Sequence, residues 1–279
     1  MMEKDLPALV DVATRAAFDA GREIISVYAS TFAVEHKEDR SPLTEADKRA
    51  HRVIVAMLAT TGLPVLSEEG RTIPPAERQA WDRYWLVDPL DGTKEFVKRN
   101  GEFTVNIALM TRAKGGADTR NGTHTPMAGV LYVPVKDTLY FSWDGGGAYR
   151  LEQAATHLAT SAYERAAMAT RLPVPQQHRT YTVVASRSHQ SPETLAFIRS
   201  KEHEHGAVAL TSMGSALKIC LVAEGAADVY PRYAPTMEWD TAAGHAICME
   251  AGRELTDLGT QAPMRYNKND LLNNWFIVE

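Results

Sequence analysis

The spacing of apolar residues predicts a chain that alternates between helices and strands. From Leu6 to Tyr28, apolar side chains recur every three or four positions, which is the spacing of one face of a long amphipathic helix. Short apolar or alternating segments between 102 and 151 are separated by turn residues and predict successive antiparallel strands. Beyond 180, strand-like and helix-like segments follow one another. This order predicts a layered α+β architecture, which we divide into two halves, 1–150 and 151–279.

A second helix is predicted to begin at Ser41 and to continue to about Leu58. Serine followed by Pro42 is typical of an N-cap and the first helical position. Thr44 and Asp47 also have the spacing of a capping box, in which an acidic side chain satisfies a backbone donor at the helix start. On local grounds alone, Asp47 is therefore interpreted as a capping residue.

The stretch from Trp85 to Phe96 has the most distinctive chemistry. Its apolar beginning predicts a buried strand that must end at Pro89, because proline lacks a backbone donor. Asp88 and Asp91 flank this turn, and two carboxylates that converge on one point repel each other unless a cation or a proton lies between them. Oxygen-only donors of this kind suit a hard cation such as Mg²⁺. The alternative is a polar turn whose acids are solvated.

The residues after these acids predict a place for an anion. The backbone amides of Gly92, Thr93 and Lys94 come one after another and could bind phosphate as the amides of a helix N-terminus do. Gly92 also permits a backbone conformation that other residues avoid, or a ligand's close approach. Together with the acids, these amides predict a combined metal and phosphate site.

Other acidic residues also lie at the ends of predicted elements. Glu68 and Glu69 follow a short predicted strand, and adjacent side chains on an extended chain point in different directions. We therefore expect only one of them to face a site, with a solvated acidic turn as the competing interpretation. Asp240 lies at a predicted helix start, where it would serve as an N-cap.

Composition and charge limit the classes of function. The chain has 279 residues, of which 44% are apolar and 23% charged, which is typical of a soluble globular protein. A net charge of -5 argues against a nucleic-acid polymer as partner, although bound cations can still attract a small anionic substrate. We expect no membrane span, because no apolar run is long enough, and no signal peptide.

The two cysteines, Cys220 and Cys248, lie in apolar helical patterns. We interpret them as core residues of a protein in a reducing compartment, so that a cytoplasmic location is expected. Contact of the amphipathic first helix with the inner membrane surface stays open, as does the choice between a monomer and a homodimer.

Three segments of the sequence together resemble the motifs of a known superfamily. Their order and spacing are similar to those of the lithium-sensitive, magnesium-dependent inositol monophosphatase superfamily, and they cover almost the whole chain. The segments are Ser67-Glu68-Glu69, Asp88-Pro89-Leu90-Asp91-Gly92-Thr93 and Trp239-Asp240-Thr241-Ala242-Ala243-Gly244. The resemblance implies a layered α/β/α/β/α sugar-phosphatase fold, with a metal-binding first half and a second half that completes the metal and nucleotide site.

Finer features resemble one branch of this superfamily, the bacterial CysQ branch of 3'(2'),5'-bisphosphate nucleotidases. They are Lys94-Glu95-Phe96 with the following Lys98 to Phe103, Ser186-Arg187-Ser188-His189, Gly214-Ser215-Ala216-Leu217-Lys218 and Tyr230-Pro231-Arg232. The resemblance implies an enzyme that removes the 3'-phosphate from adenosine 3',5'-bisphosphate to give AMP, and that can act on the sulfated precursor. Inhibition by lithium is implied as well.

The resemblance also implies roles for individual residues. Two or three Mg²⁺ ions would be held by Glu68, Asp88, Asp91, Asp240 and the backbone carbonyl of Leu90. Asp47 and Thr93 would orient and deprotonate the attacking water at the ion that Glu68 helps to hold. The substrate would be bound by Asp91, Gly92, Thr93, Lys94, Ser186, His189, Ser215, Lys218 and Asp240.

Two other functions stay open. An inositol monophosphatase or a sugar phosphatase would use the same metals with a smaller substrate, and the second-half residues Ser186, His189, Ser215 and Lys218 argue for a nucleotide instead. A non-catalytic nucleotide or metal sensor would not need the water-activating pair of Asp47 and Thr93.

Overall fold

The fold is described from a computed structural model of the chain. The description covers residues 6–29, 34–36, 42–113, 122–175, 179–185 and 191–279. Within these residues, no helix is both long enough and apolar enough to cross a membrane.

Eight α-helices and one short 3₁₀ helix, Ala154–His157, are present in the described residues. The α-helices are α1 (Leu6–Tyr28), α2 (Glu45–Ala59), α3 (Pro75–Arg78), α4 (Thr93–Val97), α5 (Ala162–Met168), α6 (Pro192–His205), α7 (Leu217–Ala223) and α8 (Glu238–Glu250).

Fifteen strands are present in the same part of the chain. They are β1 (Val34–His36), β2 (Pro42–Thr44), β3 (Val65–Ser67), β4 (Arg83–Asp91), β5 (Thr104–Arg112), β6 (His124–Val133), β7 (Thr138–Trp143), β8 (Gly147–Glu152), β9 (Thr170–Leu172), β10 (Thr182–Val184), β11 (Ala209–Thr211), β12 (Tyr230–Arg232), β13 (Leu255–Asp257), β14 (Ala262–Pro263) and β15 (Phe276–Val278).

The largest sheet contains seven strands in the order β3-β4-β5-β6-β7-β8-β9. Its neighbouring strands are antiparallel except β3 and β4, which are parallel. The parallel pair brings the carboxyl ends of both strands to the same edge of the sheet. Glu68 and Asp88 are therefore delivered to neighbouring positions.

Alternating side chains of the large sheet pack into two different cores. Trp85, Val87 and Ile107 lie in the core shared with α1 and α2. Leu86 and Ala108, one position away on the same strands, lie in the core shared with α7, α8 and the C-terminal strands. This two-sided burial is the consequence of the period of two along a strand.

A second layer of strands covers the other side of α7 and α8. It consists of a four-stranded sheet, β12-β15-β13-β14, and the parallel pair β10-β11, which is joined to it by a bridge between Val183 and Val229. Helix α6 closes this side, with Ile198 packed against Val183 and Val229. The order of layers is thus α/β/α/β/α, and the predicted α+β fold is confirmed.

The predicted start of the second helix was wrong. Pro42–Thr44 form β2, which pairs antiparallel with β1, and the helix begins only at Glu45. Ser41 lies outside the described residues. A proline is compatible with a short edge strand as well as with a helix start, so the local signal was ambiguous.

Candidate active site

Glu68 follows the end of β3, beside the parallel strand β4. Ser67 is paired with Val87, and the backbone N–H of Glu68 donates to the Val87 carbonyl at 3.1 Å. Burial and then the charge of Glu68 raise the pKa of Asp88 well above its ordinary value. The charge of Glu69 acts on the pKa of His51, where it opposes the lowering by burial. The expectation that only one of the two glutamates faces the site stays a prediction.

An irregular end of β4 shapes the next part of the site. Asp88 is paired with Asn106 and Asp91 with Thr104, so that one strand contains an extra residue between the two pairs. Such a bulge re-aims side chains at the end of a strand. Asp88 Oδ1 accepts a hydrogen bond from the backbone N–H of Leu90 at 3.1 Å.

The Asp91 carboxylate is oriented by two uncharged donors and one cation. Its Oδ2 accepts from the backbone N–H of Ala216 at 2.6 Å and from Asn106 Nδ2 at 3.3 Å. Burial raises the pKa of Asp91 to about 6, although the charge of Lys218 and the two hydrogen bonds act in the opposite direction. Lys218 Nζ itself donates to the Ser215 carbonyl at 3.1 Å.

Asp240 reaches the site from the first turn of α8. The helix begins at Glu238, so Asp240 is its third residue and not its N-cap as predicted. Its Oδ2 accepts from the backbone N–H of Met237 at 2.8 Å, which still satisfies a donor at the helix start. The N-cap interpretation was therefore wrong, because the N-cap is Met237 and Asp240 accepts from it as the third helical residue.

Three of the predicted ligands converge into one cluster. One carboxylate oxygen of each of Asp88, Asp91 and Asp240 lies within 4.8 Å of the others. Burial raises the pKa of Asp240 well above its ordinary value, and the charges of Asp91 and Glu68 add to this shift. Buried acids that repel one another become stable as carboxylates when a cation lies between them. The donor set is oxygen-only, so it fits a hard divalent cation.

The predicted water-activating residues lie beside this cluster. Asp47, in the first turn of α2, is fully buried, and its charge also raises the pKa of Asp88. Thr93 begins α4, and its hydroxyl donates to the Leu90 carbonyl at 3.4 Å. The pairing of Asp47 with Thr93 for catalysis stays a prediction.

Gly92 combines an unusual backbone conformation with a tight environment. Its φ is +94°, in the left-handed region that favours glycine. A Cβ atom at this position would lie 3.2 Å from Ser215 Cβ and 3.3 Å from both the Glu102 carbonyl oxygen and Glu95 Oε2. The second-half residue Ser215 is thus brought against the turn that carries Asp91 and Thr93.

The remaining predicted substrate residues differ in how far the structure describes them. Ser215 and Lys218 lie next to the acid cluster, and Lys94 is exposed in the first turn of α4. Ser186 and His189 lie outside the described residues. Their predicted contacts with a nucleotide stay predictions.

Two residues near the acids had no role in the sequence interpretation. Asn106 is buried in β5 and donates to Asp91, and an amide side chain between the apolar residues Val105 and Ile107 was the signal for it. The charge of Arg232, on β12, lowers the pKa of Asp240 and so opposes the rise that burial causes. Arg232 belongs to the Tyr230-Pro231-Arg232 segment that resembles the CysQ branch, but no chemical role was assigned to it from the sequence.

A layered α/β/α/β/α fold with buried carboxylates at the ends of two parallel strands is the architecture of a metal-dependent phosphatase. The family model described as the inositol monophosphatase family matches residues 5–278. The chain therefore belongs to the inositol monophosphatase family.

The similar proteins include members of one branch of that family. The 3'(2'),5'-bisphosphate nucleotidase CysQ of Salmonella typhimurium is 43% identical over 256 residues, which are 89% of this chain and 90% of that protein. The protein of the same name from Shigella flexneri is 43% identical over 278 residues, or 97% and 99% of the two chains. The crystal structure of CysQ from Bacteroides thetaiotaomicron, a bacterial member of the family, has a TM-score of 0.82 at 50% identity and covers 96% of this chain and 95% of its own. The resemblance to the CysQ branch is confirmed.

Proposed function

We propose that this protein is a Mg²⁺-dependent phosphomonoesterase that hydrolyses the 3'-phosphate of adenosine 3',5'-bisphosphate to give AMP and phosphate. The corresponding phosphosulfate is a second candidate substrate for the same reaction. The observation that carries the proposal is the identity of 43% over 97% of the chain to a protein named as a 3'(2'),5'-bisphosphate nucleotidase.

The acid cluster supports the choice of metal. Glu68, Asp88, Asp91, Asp240 and the carbonyl of Leu90 would hold two or three Mg²⁺ ions, since Mg²⁺ prefers carboxylates, carbonyls and water. Bound ions of this kind activate water and stabilise the leaving oxygen in one in-line displacement.

The other parts of the reaction fall to residues around the cluster. Asp47 would accept a proton from the attacking water while the Thr93 hydroxyl orients it, as a general base and its partner do. The turn of Asp91, Gly92 and Thr93 would hold the phosphate that is removed. The exposed amine of Lys94 would attract the anionic substrate.

The second half would bind the rest of the nucleotide. Ser215 and Lys218 are the described candidates, together with Ser186 and His189 from the sequence. Two observations support Ser215 and Lys218. Ser215 lies close to Gly92, and the charge of Lys218 lowers the pKa of Asp91, so a hydroxyl and a cation are available at the edge of the proposed metal site. The same proposal divides the chain into a metal-binding half, 1–150, and a half that completes the metal and nucleotide site, 151–279, and its support is that Ser215, Lys218 and Asp240 come from the second half.

The decisive experiment compares phosphate release from adenosine 3',5'-bisphosphate and from inositol 1-phosphate in the presence of Mg²⁺. Each reaction is measured with and without lithium, and with AMP as a substrate that lacks the 3'-phosphate. We expect release from the bisphosphate, little from AMP, and inhibition by lithium. Preference for inositol 1-phosphate would keep the metal site and overturn the nucleotide pocket, whereas no release from either would favour a sensor.

A further inference from the structure

A buried ion pair lies at the start of α8, two residues before Asp240. Glu238 has no exposed surface, and its Oε1 accepts from Lys268 Nζ at 2.7 Å. The same carboxylate accepts from the backbone N–H groups of Asn267 and Lys268, at 2.7 and 3.0 Å. These bonds join the start of α8 to residues 29 and 30 positions further along the chain.

The pair reaches Asp240 through the peptide groups of Met237. The Met237 N–H donates to Asp240 Oδ2 at 2.8 Å, and the Met237 carbonyl accepts from Asn273 Nδ2 at 2.8 Å. Lys268 Nζ contacts Asn273 Oδ1 at 3.2 Å in addition to Glu238. Lys268 is therefore linked through Asn273 to the Met237 carbonyl, while the N–H of Met237 donates to Asp240.

The same network extends to the segment that follows Glu68. Arg78 in α3 is buried and donates to Asn267 Oδ1 at 2.6 Å, while Asn267 Nδ2 donates back to the Arg78 carbonyl at 2.9 Å. The backbone N–H of Asn267 is one of the donors to Glu238. The network thus ties the chain after Glu68 to the helix start that carries Asp240.

A buried ion pair is a weak means of stabilising a fold. Taking two charges out of water costs much of what their attraction returns, and well-packed apolar residues often stabilise as well or better. The ion pair can nevertheless orient its neighbours, because residues that contact metal ligands fix their orientation and thereby change the affinity for the ion.

We propose that Glu238 and Lys268 form a positioning pair that holds Asp240 in the orientation required for metal binding. The pair acts through the Met237 peptide and not by contact with an ion or substrate. This inference rests on the proposed function only in so far as Asp240 binds a metal.

The first test is the variant Glu238→Gln, which removes the charge but keeps the shape of the side chain. Mg²⁺ binding is measured by calorimetry without substrate, and unfolding is followed by heating. We expect the affinity for Mg²⁺ to fall about 10-fold, the lower end of the effect of residues behind metal ligands. A double variant, Glu238→Gln with Lys268→Met, removes both charges of the pair and should recover part of the thermal stability while Mg²⁺ binding stays weak.

The matched control is Asp11→Asn, which breaks the ion pair between Asp11 and the fully buried Arg165, where α1 meets α5. This variant should unfold at a lower temperature and bind Mg²⁺ as the wild type does. If the Glu238 variants also lose only thermal stability, the pair is structural and the inference is wrong. A wild-type protein that binds no Mg²⁺ would instead overturn the metal site, and this inference with it.

Discussion

Asn106 donates a hydrogen bond to Asp91 from the strand next to the one that carries the acid, with Nδ2 and Oδ2 3.3 Å apart. Both side chains lie where β4 departs from regular pairing with β5. The amide stabilises the charged form of a carboxylate that burial would otherwise keep protonated. Asn106 therefore prepares Asp91 to meet a cation, although it has no charge of its own.

Replacing Asn106 by alanine should raise the Mg²⁺ concentration needed for half-maximal phosphate release. Without the amide, the pKa of Asp91 rises further and protons compete better with the ion, so we expect an increase of several-fold. Ser142→Ala is the control, since Ser142 is a buried polar residue of β7 in the same sheet. An unchanged Mg²⁺ requirement in Asn106→Ala would contradict the role given to the amide.

Gly92→Ala should lower kcat by far more than it lowers stability. The left-handed backbone costs a non-glycine residue about 1–2 kcal/mol, and the new methyl group would also press against Ser215 and the Glu102 carbonyl. Relief of this contact must displace the turn that carries Asp91 and Thr93. Steady-state kinetics and thermal unfolding measure the two effects.

The control for that variant is Gly62→Ala. Gly62 has a φ of +74°, but an added Cβ would have no heavy atom within 4 Å. This variant should show the backbone penalty alone, with normal kinetics. Equal kinetic losses in both variants would show that backbone strain, and not crowding at the site, determines the effect.

Asp47→Asn should reduce turnover by at least about 100-fold, the lower range for loss of a general base. The amide keeps the size of the side chain in its fully buried position, so binding of AMP in the presence of Mg²⁺, measured by calorimetry, should change little. Glu45→Gln serves as the control, because Glu45 lies in the same helical turn but is exposed and contacts Arg49 at 3.1 Å. Loss of AMP binding with activity retained would contradict the assigned role.

Without divalent ions, the free energy of unfolding of the protein should fall as the pH rises. An aspartate whose pKa is raised to about 6 in the folded state holds a proton that the unfolded chain loses at about pH 4, so the free energy of unfolding falls between these values. Burial also raises the pKa of Asp88 and of Asp240 well above their ordinary values, so both residues contribute to the loss in the same direction. Bound Mg²⁺ should reverse this loss of stability.

The measurement is the melting temperature in a chelator and in Mg²⁺ at about pH 5 and about pH 8. We expect Mg²⁺ to raise the melting temperature more at the higher pH. In the chelator, the melting temperature of the Asp91→Asn variant should fall less between the two pH values than that of the wild type. A Mg²⁺ effect that is larger at the lower pH would show that the acids are not the groups to which the ion is linked.

The main elements of the fold could be predicted from the sequence because hydrophobic periodicity reflects burial directly. The long helix α1 and the strands β3 to β8 of the large sheet follow from this pattern, whereas β9 was not predicted. The start of α2 did not, since Pro42 suits both a helix and a short strand, and only pairing with β1 decides between them. Such pairing is a tertiary contact that no local signal contains.

Glu68, Asp88 and Asp91 could be found from their positions at strand ends, whereas Asp47 and Asp240 were assigned to the site only through the family resemblance, and the groups that orient the acids could not be found. Asn106 and Arg232 act on Asp91 and Asp240 across distances that depend on sheet register and on the packing of β12. Lys268 is a further case, because a lysine in a polar segment is usually solvated, whereas this one is buried against Glu238. Long-range contacts, not residue type, give these side chains their roles.

The distribution of the site along the chain has a consequence for its synthesis. Asp91 is made early, whereas Asp240 and Lys268 come late, and at about 5–20 residues per second the 177 residues from Asp91 to Lys268 take roughly 10–35 s to translate. During that time, the nascent chain contains the first acids without the helix that covers them. Completion of the acid cluster is therefore a late event on the ribosome, and a chain released before α8 is made would contain all seven strands of the large sheet without Asp240.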